Sequence, residues 1–238
     1  ANARFKPAGS PIAAHRKADF SPRIQETENL TIYGNVGNVS IDVNGGSSAK
    51  DIAASITSRL SETGVSATAH TRLNVSFEEE PNGTQKTDTV SFNVYGKNSA
   101  PVLISANVDF GETNGRGADL TDLAAAINGT TGKTGIAASL SVDKSTMTMI
   151  SNDGYDIVTE DYRLVGVTGP AMLVSGANED NTSLTGTNSA NVLFDALTLE
   201  PGTDTSTHPN SVHVSGQVTF RSPFIFSVKS DNIGTSSA

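Results

Sequence analysis

Few residues of this chain stand at a spacing that chemistry could use. Ser47-Ser48-Ala49-Lys50 carries the Ser-x-x-Lys pattern that sets a hydroxyl nucleophile beside a lysine base in one class of acyl-transfer enzymes. The same four residues read as a helix start, and that reading accounts for them. The histidines His15, His70, His208 and His213 form no His-x-x-x-His pair and no short Cys/His site. His208 and His213 are near enough to meet around Pro209-Asn210, where histidines of a surface turn are the ordinary case. Asn152-Asp153-Gly154-Tyr155-Asp156 has oxygen ligands near a glycine but lacks the alternation and closing Glu of a calcium loop. A hairpin turn explains it. Gly115-Arg116-Gly117 precedes a helix and could offer N–H groups to an anion, yet the dinucleotide fingerprint is absent. No nucleophile, base and orienting partner assemble from spacing. The expectation is a chain with no catalytic, cofactor-binding or metal-binding residue, and not an enzyme.

The elements that would position any such group are more informative. Ser48-Ala49-Lys50-Asp51-Ile52-Ala53-Ala54-Ser55-Ile56-Thr57 leads to Gly64-Val65-Ser66-Ala67, and Asp119-Leu120-Thr121-Asp122-Leu123-Ala124-Ala125-Ala126-Ile127-Asn128 leads to Gly135-Ile136-Ala137-Ala138. The step from Ile52 to Leu123 is 71 (123 − 52), and Ile56 to Ile127 and Gly64 to Gly135 repeat it without a gap. Ser48 and Asp119 read as N-caps, with Asp51 and Asp122 placing charge at the positive end of each helix dipole. Ile52, Ile56 and Leu60 share one helical face, as do Leu120, Leu123, Ala124 and Ile127. Small Ala53, Ala54, Ala124 and Ala125 let each helix lie close on a sheet. Gly64 and Gly135 stand where a chain leaving a helix needs a positive φ. Alternating Val39–Val43 precedes the first helix and alternating Val90–Val94 the second. Val65–Ala69 and Ile136–Val142 follow as strands, so each copy reads as strand, helix, strand.

This pattern resembles the hook IN motif of bacterial flagellins and hook-associated proteins. The second copy has the Ile127-Asn128 pair, and the first departs with Ile56-Thr57. Tyr155–Tyr162 resembles the strand that follows the motif in many flagellins. Ser215–Phe220 with Phe224–Val228 resembles the stretch that returns a flagellin outer region towards its core. The long heptad-rich terminal helices of a complete flagellin are not visible. The resemblance therefore implies the outer, hypervariable and antigenic portion of a flagellin, a structural protein of the extracellular bacterial flagellum filament used in motility. It implies other flagellin subunits as partners and no cofactor. It also marks Thr182, Ser183, Thr203, Thr205, Ser206 and Thr207 as candidate sites of O-linked glycosylation. Two alternatives stay open: a hook-associated junction or cap protein, and a carbohydrate-binding or adhesive surface module for glycans or host surfaces. The second would use Arg4, Arg16, Lys17 and Arg23, converging near Tyr33 or Tyr95.

Composition bounds the rest. With 238 residues, 36% of them hydrophobic, the chain can bury a proper core. Its net charge of −9 argues against nucleic acid and against an anionic membrane surface as partners. No apolar run approaches a membrane span and cysteine is absent, and the expectation is a chain without a signal peptide. Six Asn-x-Ser/Thr triplets, at Asn29, Asn38, Asn74, Asn82, Asn128 and Asn181, are coincidences of a composition rich in these residues.

Three zones are expected. Residues 1–29 form an irregular N-terminal segment that packs with the C-terminal zone and holds the basic cluster Arg4, Lys6, His15, Arg16, Lys17 and Arg23. Residues 30–165 form the duplicated domain, with repeats at about 30–75 and 88–150. Residues 166–238 form a Ser/Thr/Asn-rich β segment returning towards the missing core. Asn82-Gly83 suggests a hairpin pairing Val75-Ser76-Phe77 with Thr89-Val90, and Asp143-Lys144-Ser145 a turn between Leu140–Val142 and Thr146–Ile150. The fold class is α+β, mostly β, with two main helices.

Overall fold

The computed structural model describes residues 2–5, 12–14, 28–78, 87–110, 117–165, 170–177, 183–184, 186–187, 193–194, 197–199 and 210–231. Two short strands come first, β1 (Asn2–Phe5) and β2 (Ile12–Ala14). A hairpin of β3 (Glu28–Tyr33) and β4 (Asn38–Val43) leads to helices α1 (Ala49–Ser58) and α2 (Leu60–Thr63), then to the long strand β5 (Ser66–Phe77). The order then recurs. A hairpin of β6 (Thr87–Tyr95) and β7 (Val102–Asp109) leads to α3 (Thr121–Gly129), α4 (Thr131–Thr134) and β8 (Ala137–Leu140). Next come β9 (Met147–Ser151), β10 (Ile157–Leu164) and β11 (Met172–Ala177), with the short β12 (Ser183–Leu184), β13 (Gly186–Thr187), β14 (Leu193–Phe194) and β15 (Leu197–Leu199). β16 (Val212–Val214), β17 (Gln217–Arg221) and β18 (Ser227–Ser230) close the described chain. The architecture is α+β and mostly β.

Local chemistry explains the helix ends. Ser48 and Asp51 form a reciprocal capping box, each side chain accepting the other's backbone N–H at 3.3 Å. In the second copy the helix boundary falls on Leu120, one residue later than the sequence suggests. Asp119 still serves it, accepting the Thr121 N–H at 2.9 Å. Gly64 (φ 73°) and Gly135 (φ 72°) both adopt the left-handed conformation that turns each helix into its strand.

Strand partners show that the repeat is longer than the helix. Phe220 faces Ala67 across β17 and β5, and Met149 faces Ala138 across β9 and β8. Both positions are 71 residues apart (138 − 67 and 220 − 149). Tyr33 likewise faces Ser227, and Tyr95 faces Val158. The second unit, β6 to β10, is thus continuous in the chain. The first is interrupted after β5 and completed by β17 and β18. β1 lies on β17 as the far half of β5 lies on β9, supplying a third strand to each unit.

Each unit has its own core. Leu30, Ile32, Ile52, Ile56, Val218 and Phe220 fill the first, while Phe92, Leu123, Ile127, Met149, Tyr162 and Val174 are among those filling the second. β5 serves both: Ala67 and Ala69 pack on the first core, and Leu73, Val75 and Phe77 belong to the second.

Several expectations need correction. Val90–Val94 lies in β6, the counterpart of β3; the counterpart of β4 is β7. Nine extra residues between hairpin and helix, the difference between the 71-residue helix step and the 62-residue hairpin step (95 − 33), hide this in the sequence. Leu60 is 46% exposed, because α1 ends at Ser58 and α2 turns away. Ala53 and Ala124 are buried, but Ala54 and Ala125 face outward. β5 does not pair with β6, whose partners are β7 and β10, and Asn82-Gly83 lies outside the described residues. Residues 152–156 form a turn, but its flanking strands β9 and β10 lie in different sheets. The hairpin of β8 and β9 forms as expected. The N-terminal segment contains β1 and β2, paired with β17 and β16, where irregular chain is expected. Phe224 to Phe226 precede β18 as non-strand chain.

Candidate functional site

The Ser-x-x-Lys residues sit where α1 begins, and their bonds belong to the fold. Ser47 donates its N–H to Asn44 O at 3.1 Å, and the Ser48 hydroxyl is 2.8 Å from the Asp51 carboxylate. Lys50 places its ammonium 4.9 Å from the centre of the Tyr155 ring. Sequence reading passes over two further tripeptides that accompany this pattern in acyl-transfer enzymes, Lys133-Thr134-Gly135 and Ser230-Asp231-Asn232. Thr134 and Asp231 are engaged in the fold, and Asn232 lies outside the described residues. The Thr134 hydroxyl accepts the Ile136 N–H at 3.2 Å, and Asp231 accepts two bonds from Asn29 at 2.7 Å. A working nucleophile needs its hydroxyl on the base. The serine of the pattern is Ser47; its neighbour Ser48 serves the Asp51 cap, and Lys50 faces the Tyr155 ring.

Of the histidines, His15 and His208 lie outside the described residues, and His70 and His213 stand on β5 and β16. His213 Nε2 lies 2.7 Å from Asp156, whose other oxygen accepts the Gly216 N–H at 3.3 Å. Asp156 is the last residue of the Asn152–Asp156 group, so that group closes a joint. Among the described residues no three His, Asp or Glu side chains gather as a metal site. Gly115-Arg116 lies outside them, as do the side chains of Arg4, Arg16, Lys17 and Arg23 and those of the candidate glycosylation sites, of which only Ser183 has its backbone described, in β12. Three of the Asn-x-Ser/Thr asparagines are structural: Asn29 binds Asp231, Asn74 accepts from Thr148 at 2.8 Å, and Asn128 holds Ala138.

The joint defines how the units stack. Let the tip of a unit be the end with its hairpin turn and helix exit, and the base the end where its first helix begins. Lys50 N–H donates to Gly154 O at 3.1 Å, and Gly154 backs so closely on Ala69 that a Cβ would lie 2.3 Å from the Ala69 methyl. Gly216 meets Ala49 and Thr71 in the same way. The tip of the second unit therefore sits on the base of the first. Thr71, His213 and Gln217 make this a buried polar layer between two apolar cores.

Two side chains do the same work in the two units. The Thr57 hydroxyl bonds both the O and the N–H of Ala67 at 3.0 Å. The Asn128 amide bonds the O and N–H of Ala138 at 3.0 and 2.8 Å. Each pins its helix to the edge of the following strand, which is why Thr can stand where the motif has Asn.

Carboxylates at the base of the second unit are held ionised. Asp119 is kept below its ordinary value of 3.8 by the Thr121 hydroxyl and N–H, with Lys144 at 3.5 Å adding to the effect. Asp143 is lowered by the Ser141 hydroxyl and then by Ser145.

In comparison with known families, residues 29–76 fit the flagellin hook IN motif. The span covers β3, β4, α1, α2 and nearly all of β5. It supports a flagellin-related protein with a structural role in the flagellum, whose filament is extracellular and assembled from flagellin subunits. Nothing among curated proteins matches the chain. Among the described residues no helix is long and apolar enough to cross a membrane.

Proposed function

We propose that this chain is the solvent-facing portion of a flagellin, carried on the outside of the filament. The observation that carries the reading is the coincidence of the matched span, 29–76, with a unit whose strand–helix–strand order recurs at 87–164. The second unit is then a second motif of the same kind, set into the first. Its role is geometric. A rigid β-rich body sets filament diameter and presents a hypervariable, antigenic face. Weak contacts between neighbouring bodies add up along the polymer. The net charge of −9 keeps a dense array of such bodies soluble.

The division into residues 1–29, a duplicated 30–165 and a returning 166–238 is part of this proposal, with β17 and β18 closing the first unit. Secretion with the filament, a place in motility, and the lack of nucleic-acid, membrane, cofactor and catalytic roles belong to it too. Deleting the segment from the flagellin gene tests the reading by electron microscopy. Thinner, smoother filaments that still assemble are expected. Unchanged filaments, with the hook junction or tip altered instead, would move the chain to the hook-associated class.

A further inference from the structure

Among the described residues the stack leaves one tip and one base outside the internal joint, and exposed apolar side chains collect at these two ends. Of eight exposed large hydrophobic residues among the described ones, five lie at the tip of the first unit: Tyr33, Val36, Leu60, Phe224 and Ile225. Gly64 ties that tip together, with Val36 against it and its carbonyl accepting the Ser222 hydroxyl at 2.9 Å. Two more, Val142 and Val165, lie at the base of the second unit, Val142 fully exposed. Only Leu103 lies elsewhere.

The covered tip inside the molecule shows what such a tip is for. By the Tyr33–Ser227 and Tyr95–Val158 registers, Phe224 and Ile225 occupy the places of Tyr155 and Asp156 (a step of 69, 224 − 155). Tyr155 and Asp156 are covered by Lys50 and His213 in the joint, whereas Ile225 is 91% exposed. The two free ends also differ in charge. The tip carries Arg59, Arg221 and Lys229 against Glu62, a balance of +2 (3 − 1). Among the described residues the base carries Glu78, Asp88, Asp109, Asp119, Asp122 and Asp143 against Lys144 and Arg163, a balance of −4 (2 − 6).

We propose that the first-unit tip of one copy of this chain docks on the second-unit base of another, continuing the internal stack head to tail. The contact differs chemically from the internal joint: the place of Lys50 is taken by Thr121 and that of Tyr155 by Phe224, so apolar contact and net charge replace the cation–ring pair. A heterologous contact of this kind leaves a tip and a base unused in every dimer, so it propagates into chains, or into a ring where the rotation closes. The small apolar area makes each contact weak, and the opposed charges make it salt-sensitive. The inference needs only the isolated chain and does not depend on the filament reading.

Sedimentation of the purified 238-residue chain over a wide concentration range tests it. Reversible association beyond a dimer is expected, weakened by salt, and weakened about tenfold by either Ile225→Asp or Val142→Lys. Because the chain has no cysteine, an Ile225→Cys/Val142→Cys variant should also give a disulfide ladder under oxidation, which neither single variant gives. A strictly monomeric chain at the highest soluble concentration would overturn the proposal. So would association that stops at a dimer, or that both the Ile225→Asp and Val142→Lys variants leave unchanged.

Discussion

Thr57 and Asn128 are the residues on which the duplicated helices turn. Each supplies a donor and an acceptor to an alanine at the start of the next strand. Both sites are exposed, so the net worth of the pair is about 1 kcal/mol, set against a few tenths gained in helix propensity on changing to alanine. Asn128→Ala should lower stability in urea denaturation, and Asn128→Thr should restore most of the loss, because Thr57 already does this work. Equal stability of all three proteins would refute the pin. Asp119 adds a pH signature. Its folded-state carboxyl is lowered, so its contribution is present above its ordinary value of 3.8 and disappears as pH falls through the lowered one. The difference in melting temperature between the parent and Asp119→Asn should therefore close as pH drops below about 4. A gap that persists in strong acid would remove Asp119 from the account.

Elements built from local chemistry were open to reading from the sequence. The Ser48–Asp51 cap, the buried positions Ile52, Ile56, Leu123 and Ile127, and the left-handed Gly64 and Gly135 depend on residues a few places apart. What closes the first unit was not legible as such. β17 and β18 lie about 150 to 200 positions beyond their partners in β5 and β3, and no local signal encodes that pairing. Leu60 misleads because helical periodicity does not announce the break at Arg59. The polar joint was also hidden, since Lys50, Tyr155 and His213 meet only in space. Hairpin and helix exit meet through a glycine in each unit. A Cβ on Gly34 would lie 1.7 Å from Thr63 O, and one on Gly96 2.2 Å from Thr134 O. Gly34→Ala and Gly96→Ala should each cost about 1–3 kcal/mol through forced backbone movement. Gly132→Ala, with nothing within 4 Å of the added carbon, should be neutral or stabilising. Thermal melts that fail to separate the first two from the third would contradict this packing.

The whole molecule is a stack of two like units, one set inside the other's chain and both sharing β5. That arrangement gives a rigid, elongating body with unlike ends, suited to standing in an array. Together with the hook IN span at 29–76 it supports the proposed place on the filament surface. Immunogold labelling of intact cells with antibody raised against this chain tests that location most directly. The account predicts gold along the full length of every filament. Gold confined to the hook junction or the filament tip, or absent from the flagellum, would contradict it.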